Sequence, residues 1–102
     1  MLDNVLVSIV IPVYNTKAEF IKECIESIVD IKYPHEIIVV DDCSTDPEWS
    51  KNSKYLIETY PKIKIIQNAD NKGPAVRLNQ GAFSATGNYL FFMDADDVLA
   101  PN

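Results

Sequence analysis

Glu36-Ile-Ile-Val-Val-Asp-Asp-Cys-Ser-Thr-Asp46 (EIIVVDDCSTD) is the stretch that decides the fold. Four β-branched residues in a row are too apolar on both faces for a half-exposed strand, so Glu36–Val40 is expected to be buried in the middle of a sheet. The strand runs straight into Asp41 and Asp42, and Asp46-Pro47-Glu48 then reads as a helix start, with proline where its missing N–H costs nothing. A buried strand that delivers acidic residues at its carboxyl end and turns at once into a helix is one unit of a parallel α/β sheet.

The flanking sequence repeats that unit. Upstream, Val5–Ile11 (VLVSIVI) is a second β-branched run, closed by Pro12 and expected to be central. Phe20, Ile21, Cys24, Ile25, Ile28 and Val29 then mark one face of a helix. Thr16 and Glu19 fit a capping box at its start, and Tyr33-Pro34-His35 breaks it. Downstream, a helix from Pro47 to about Tyr60 is ended by Pro61, and Ile63–Gln67 (IKIIQ) forms a short strand. Gly73-Pro74 opens a further helix that turns Val76, Leu78 or Asn79, Ala82 and Phe83 inward and is terminated by Gly87. Gly81 inside that helix implies a close approach that excuses its low helix propensity. Tyr89–Met93 (YLFFM) is expected to be a fourth buried strand, running into Asp94-Ala95-Asp96-Asp97. The order βαβαβαβ with short links predicts parallel strands joined by right-handed crossovers, a three-layer α/β/α sandwich around a mostly parallel sheet. Val98–Asn102 reads as the start of another helix, so residues 1–102 are expected to be a single domain cut from a larger protein.

Composition narrows the function. The chain has 102 residues, 47% hydrophobic, and a net charge of −6 with nine basic residues spread along it, which gives no electrostatic footprint for nucleic acid. An acidic chain that binds a phosphate needs a cation or placed N–H groups to offset repulsion. Cys24 and Cys43 have no metal-ligand spacing and are expected to stay reduced. Neither a signal peptide nor an apolar run near ~20 residues is present, which points to a cytoplasmic chain without a membrane span.

Three strands end in polar or special residues: Pro12-Val13-Tyr14-Asn15, Asp41-Asp42 and Asp94-Ala95-Asp96-Asp97. In an open parallel sheet the ligand crevice lies outside the carboxyl ends, so these are expected to converge. Asp94, Asp96 and Asp97 set three carboxylates in four positions, an arrangement suited to a hard divalent cation; the other reading is that Asp96 or Asp97 caps a following helix. Asp41 or Asp42 suits a hydrogen bond to a base or ribose, against an Asx-turn within DDCSTD. Arg77, one turn into its helix, can meet a phosphate or salt-bridge the acidic loops. His35 has no partner at metal or triad spacing and reads as a surface residue, and Trp49, Tyr55 and Tyr60 read as packing.

Taken together, SIVIPVYN, VVDDCSTD, Asn71-Lys-Gly73-Pro-Ala75-Val-Arg77-Leu-Asn79 and GNYLFFMDADD, in that order over nearly the whole chain, resemble the family 2 glycosyltransferases. The resemblance implies the Rossmann-like, nucleotide-sugar-binding half of a GT-A fold. It implies an inverting, metal-dependent transfer of a sugar, hexosyltransferase-like, from a nucleotide diphosphate sugar. That donor is usually a uridine one, and the acceptor a saccharide or lipid-linked group in polysaccharide or glycoconjugate synthesis, as in the cell envelope. The intact protein would then work in the cytoplasm or at the cytoplasmic membrane face. Carried over, Pro12 and Tyr14 line the base pocket, Asp42 bonds the base, and Gly73 and Arg77 lie near base and phosphates. Asp94 meets the ribose or the metal, and Asp96, with Asp97, holds Mn²⁺ or Mg²⁺ against the diphosphate. The carboxylate that acts as catalytic base in the family lies beyond the Asp-x-Asp segment and has no counterpart here, so the chain is expected to bind donor without efficient transfer.

Two other classes compete. A receiver-type regulatory module also gathers aspartates around Mg²⁺ on a doubly wound sheet, but needs its acidic pair after the first strand, where Pro12 and Tyr14 stand. A nucleotidyltransferase needs a glycine-rich loop at the same place.

Overall fold

The computed structural model describes residues 6–32 and 35–94. The expectations for Tyr33, Pro34, Asp96, Asp97 and Val98–Asn102 lie outside the described residues. Four strands, β1 (Val7–Val13), β2 (His35–Asp41), β3 (Ile63–Gln67) and β4 (Tyr89–Phe92), alternate with three helices, α1 (Ala18–Ile28), α2 (Glu48–Thr59) and α3 (Pro74–Ser84). All pairings are parallel, in the order β3-β2-β1-β4. The predicted α/β sandwich and the central place of β1 are therefore both present.

Alternation along the strands sorts the core into two faces. Ile9, Ile11, Val13, Ile37 and Val39 point toward α1 and α2, where they meet Ile21, Cys24, Ile25, Ile28, Trp49 and Leu56. Val10, Ile38 and Val40 point the other way, toward Leu78 and Ala85 at α3. At roughly 2 kcal/mol for each fully buried aliphatic side chain, the first face supplies most of the hydrophobic stabilisation. On the second, α3 gains its hold by coming close. A Cβ on Gly81 would overlap Val10 Cγ1 and lie 3.2 Å from Val40 Cγ2.

That approach corrects the predicted inner face of α3 at Val76 and Phe83, while Leu78 does turn inward. Arg77 and Gly81 are the buried positions, while Val76 is 43% and Phe83 93% exposed. Gly87 does not terminate the helix, which ends at Ser84. Instead it abuts β1, where a Cβ would sit 2.7 Å from the Leu6 carbonyl oxygen and 2.9 Å from Ser8 N. The link is pinned there by Glu36. Its Oε2 accepts hydrogen bonds from the Ser8 hydroxyl (2.6 Å), Thr86 N (2.7 Å) and the Thr86 hydroxyl (2.9 Å). Burial opposes the charge of Glu36, but these donors outweigh it and bring its pKa down to about 2.

Three further expectations change. The capping box does not form: α1 starts at Ala18 with Lys17 at the N-cap, its carbonyl accepting Phe20 N and Ile21 N, so Thr16 stands one position too early to cap. β1 continues through Pro12 instead of closing at it. Val10 O faces β4, so Pro12, two residues on, directs its missing N–H to the same side, past the end of β4 where no strand bond is lost. Finally, β4 is not buried: of the predicted stretch Met93 alone lies in the core, while Tyr89, Leu90, Phe91 and Phe92 are 46–64% exposed. It forms one edge of the sheet, beyond the cover of the described helices.

If α3 docks on the glycine surface, Gly81→Ala will destabilise the fold by about 1–3 kcal/mol through overpacking, although propensity alone favours alanine by about 1 kcal/mol. Urea unfolding at pH 7 reads the difference, and a stabilised variant would refute the packing.

Candidate functional site

The strand order sets the site. β1, β2 and β3 are laid down in one direction, then the chain crosses back by α3 to β4 on the far side of β1. At the carboxyl end of β1 the connections diverge, and a crevice opens there. A depression of about 170 Å³ occupies it, lined by Pro12, Val13, Tyr14, Asp42, Pro74 and Asp94. Four positions singled out from the sequence, Pro12, Tyr14, Asp42 and Asp94, thus share one cavity, and Gly73 immediately precedes a fifth wall residue, Pro74.

The two aspartates at the tip of β2 divide the roles that the sequence left open. Asp41, the last strand residue, is 3% exposed and turns its carboxylate to Ser44, accepting the backbone N–H at 3.1 Å and the hydroxyl proton. It braces its own loop three residues on, one residue further than an Asx-turn reaches. Asp42, one residue on, faces the cavity. Its backbone N–H donates to Val13 O at 2.9 Å, tying the tips of β1 and β2 together. Its Oδ1 accepts Lys72 N and Arg77 Nε, both at 2.7 Å, and its Oδ2 accepts Gly73 N at 2.9 Å.

Arg77 takes the second of its two predicted roles. The residue is 3% exposed. Besides Asp42 it donates to the Asp70 carbonyl (2.6 Å), the Asp70 carboxylate (2.9 Å) and Gln80 Oε1 (3.3 Å). Gln80 and Asn68 exchange reciprocal amide hydrogen bonds of 2.9 Å, and Asn68 also donates to Asp41 O at 2.8 Å. The guanidinium therefore fastens the loop of residues 68–73 to β2. The Lys72 N–H, then Arg77 and Gly73, hold the Asp42 carboxyl below the usual range against the opposing effect of burial. Arg77 does the same for Asp70. Burial works against the arginine charge, but the two carboxylates outweigh it and hold its pKa above the ordinary value.

Gly73 has a φ of 91°, in the left-handed region that glycine tolerates, and this brings two successive N–H groups, those of Lys72 and Gly73, onto one carboxylate. Asp94 lies on the exposed rim, its carbonyl receiving the Cys24 thiol at 3.7 Å. Among the described residues no three His, Cys, Asp or Glu side chains form a group fit for a metal ion; Asp96 and Asp97 are not among them. Cys24 is buried and Cys43 half-buried, and neither is in a disulfide. His35 begins β2 half-buried, at the opposite end of the sheet. Trp49 packs in the core, Tyr60 packs partly against it, and Tyr55 lies on the surface beneath Lys22.

Sequence reasoning missed Pro74 as a wall and Asn15 as a link between loops. Pro74 was legible only as a helix start. Asn15, at φ 48°, reads from sequence as one more turn residue.

Comparison with known proteins shows the family and the fold. Residues 8–102 match the model of glycosyl transferase family 2. A protein described as the uncharacterized glycosyltransferase YibD of Escherichia coli (strain K12) is 39% identical over 95 residues, 92% of this chain and 27% of its own length. The mannosyltransferase PcManGT of Pyrobaculum calidifontis, solved with GDP-Man and Mn²⁺, superposes with a TM-score of 0.80 at 31% identity, covering 90% of this chain and 28% of that one. S. aureus TarS 1-349 with UDP-GlcNAc gives 0.76 at 32% identity, over 90% and 27%. The chain thus spans little more than a quarter of the length of these proteins.

The electrostatic nature of the clamp is open to test. Asp42 and Asp70 have lowered pKa values in the fold, so their contribution is present above the ordinary aspartate range and lost as pH falls below it. Arg77→Met removes the arginine's share of that contribution and leaves Asp42 with its backbone donors but without its cation. Its urea midpoint will therefore lie below that of the wild type at pH 7, and the gap will narrow as pH drops through about 4. A gap independent of pH would mean that Arg77 acts by packing alone.

Proposed function

Because the chain belongs to glycosyl transferase family 2, we propose that the depression at the carboxyl ends of β1 and β2 receives the nucleotide of a nucleotide diphosphate sugar, the donor in an inverting sugar transfer. The observation that carries this reading is the meeting of Pro12, Tyr14, Asp42, Pro74 and Asp94 around one cavity. Tyr14 is 49% exposed and offers a ring face for a base to stack on. An ionised carboxylate has about four lone-pair sites, and Asp42 has three engaged by Lys72, Gly73 and Arg77. One remains for an N–H of the base. Arg77 supports this acceptor from behind, and Gly73 supplies the turn that brings the N–H groups to it.

The diphosphate needs a cation, since the chain is acidic. Asp94 on the rim offers hard oxygen ligands of the kind Mn²⁺ and Mg²⁺ take. With Asp96 and Asp97 it would hold the ion, which when bound neutralises charge on the departing diphosphate. In the transfer, the acceptor hydroxyl attacks the anomeric carbon from the face opposite the diphosphate, the C–O bond to phosphate breaks, and the hydroxyl proton passes to a carboxylate base. This stretch of the family pattern does not include that base. Residues 1–102 are on this reading the donor-binding portion, and they span little more than a quarter of the length of the relatives. A uridine donor is the first choice. The neighbours were solved with UDP-GlcNAc and GDP-Man, and both donor types present a nucleoside diphosphate to the site.

Calorimetry with UDP and GDP, with and without Mn²⁺, tests the proposal. UDP will bind more tightly with Mn²⁺, Tyr14→Ala will weaken it about tenfold by loss of stacking, and Asp96→Ala will abolish the Mn²⁺ enhancement. Absence of binding by either nucleotide would remove the donor assignment, and an unchanged Asp96→Ala would remove the metal assignment alone.

A further inference from the structure

We infer that Asn15 is a positioning residue for the nucleotide, acting through Tyr14 and resting on the donor reading above. Asn15 does not line the cavity. It follows Tyr14 directly and joins the loop after β1 to the loop after β2 by four hydrogen bonds. Its backbone N–H donates to Ser44 Oγ at 2.9 Å. Its Oδ1 accepts Thr45 N at 2.8 Å and Asp46 N at 2.9 Å, and its Nδ2 donates to Thr45 Oγ1 at 3.2 Å. One carboxamide thus satisfies donors and an acceptor on residues 30 and 31 positions away.

The latch has a direction. Ser44, which receives the Asn15 N–H, gives its own proton to Asp41, so the chain of contacts runs from the residue beside Tyr14 to the residue beside Asp42. The base-stacking ring and the base-accepting carboxylate are held in mutual register by groups that touch neither ligand face. The backbone supports this use of asparagine: φ at Asn15 is 48°, a left-handed conformation that asparagine adopts more readily than other residues with a Cβ. Tyr14 itself is half exposed. Its ring is set by where Asn15 anchors the chain, and without the carboxamide it would sample positions that do not stack.

Asn15→Gly removes the carboxamide without backbone strain, because glycine accepts φ 48°; of the two N–H groups it frees, that of Thr45 lies at the surface, where water can bond it, and that of Asp46 is part-buried. The expected result in calorimetry with UDP and Mn²⁺ is a Kd raised about tenfold, the equivalent of one or two hydrogen bonds, with the urea midpoint nearly unchanged. In a Tyr14→Ala background the same substitution will add no further loss, as required if it works through the ring. An Asn15→Gly protein that binds as tightly as the wild type would overturn the inference. So would a loss of equal size with and without the Tyr14 ring. Should Asn15→Gly also lower the urea midpoint, Asn15→Asp decides, since it keeps both N–H acceptors: affinity near that of the wild type supports the latch, and affinity as low as the glycine variant's refutes it. A wild type that binds neither UDP nor GDP fails at the donor reading itself, and is thereby distinguished from a failure of the latch.

Discussion

The carboxylate of Asp42 is where the fold and the site become one problem. Its backbone is tied to β1 through Val13, and its side chain draws in Lys72, Gly73 and Arg77. Without that convergence α3 would be held to the sheet mainly by the small aliphatic surface around Val10 and Val40. An arginine sealed from water requires a carboxylate, and a carboxylate so enclosed requires its donors. Removing either partner strands the other, so the pair acts as a constraint on both the α3 entry loop and the cavity wall.

Topology explains why the constraint falls there. The chain lays β2 and β3 on one side of β1 and then returns across the opposite face to place β4 on the other side. Connections that diverge leave a notch at the end of β1, and Pro12, paired with Val40 of β2, stands in it beyond the last residue of β4. The missing N–H that would damage a central strand is harmless at this position. The residues that make the notch possible are thus the ones that line it.

The order of elements, the parallel sheet and the convergence of strand ends were legible because they rest on local signals: β-branched runs, proline and glycine punctuation, and acids after strands. What was not legible depended on neighbours. Val76 and Phe83 are apolar at helical spacing, yet α3 turns Gly81 inward, since the close approach to Val10 sets its rotation. YLFFM reads as buried because apolarity expresses a need for cover, and the described residues meet that need at Met93 but not at Tyr89–Phe92 on the sheet edge. The capping box at Thr16 and Glu19 missed by one residue, since Lys17 is the N-cap, and the Asn15 latch joins loops some thirty positions apart. The Asp-x-Asp segment could be compared only at Asp94.

Asp41 and Asp42 show how far residue type falls short of residue role. They are adjacent, identical in chemistry and both nearly buried, yet alternation at the strand end turns one into a brace for its own loop and the other toward the cavity. On the donor reading, this fixes what the base must offer. A carboxylate accepts and does not donate, so the base needs an N–H aimed at Asp42. The ring N–H groups of uracil and guanine both satisfy that demand. The acceptor therefore does not choose between pyrimidine and purine donors. That choice falls to the space between the Tyr14 ring and Pro74, and so to the loops that hold those two walls apart: the Asn15 latch on one side and the Arg77 clamp on the other.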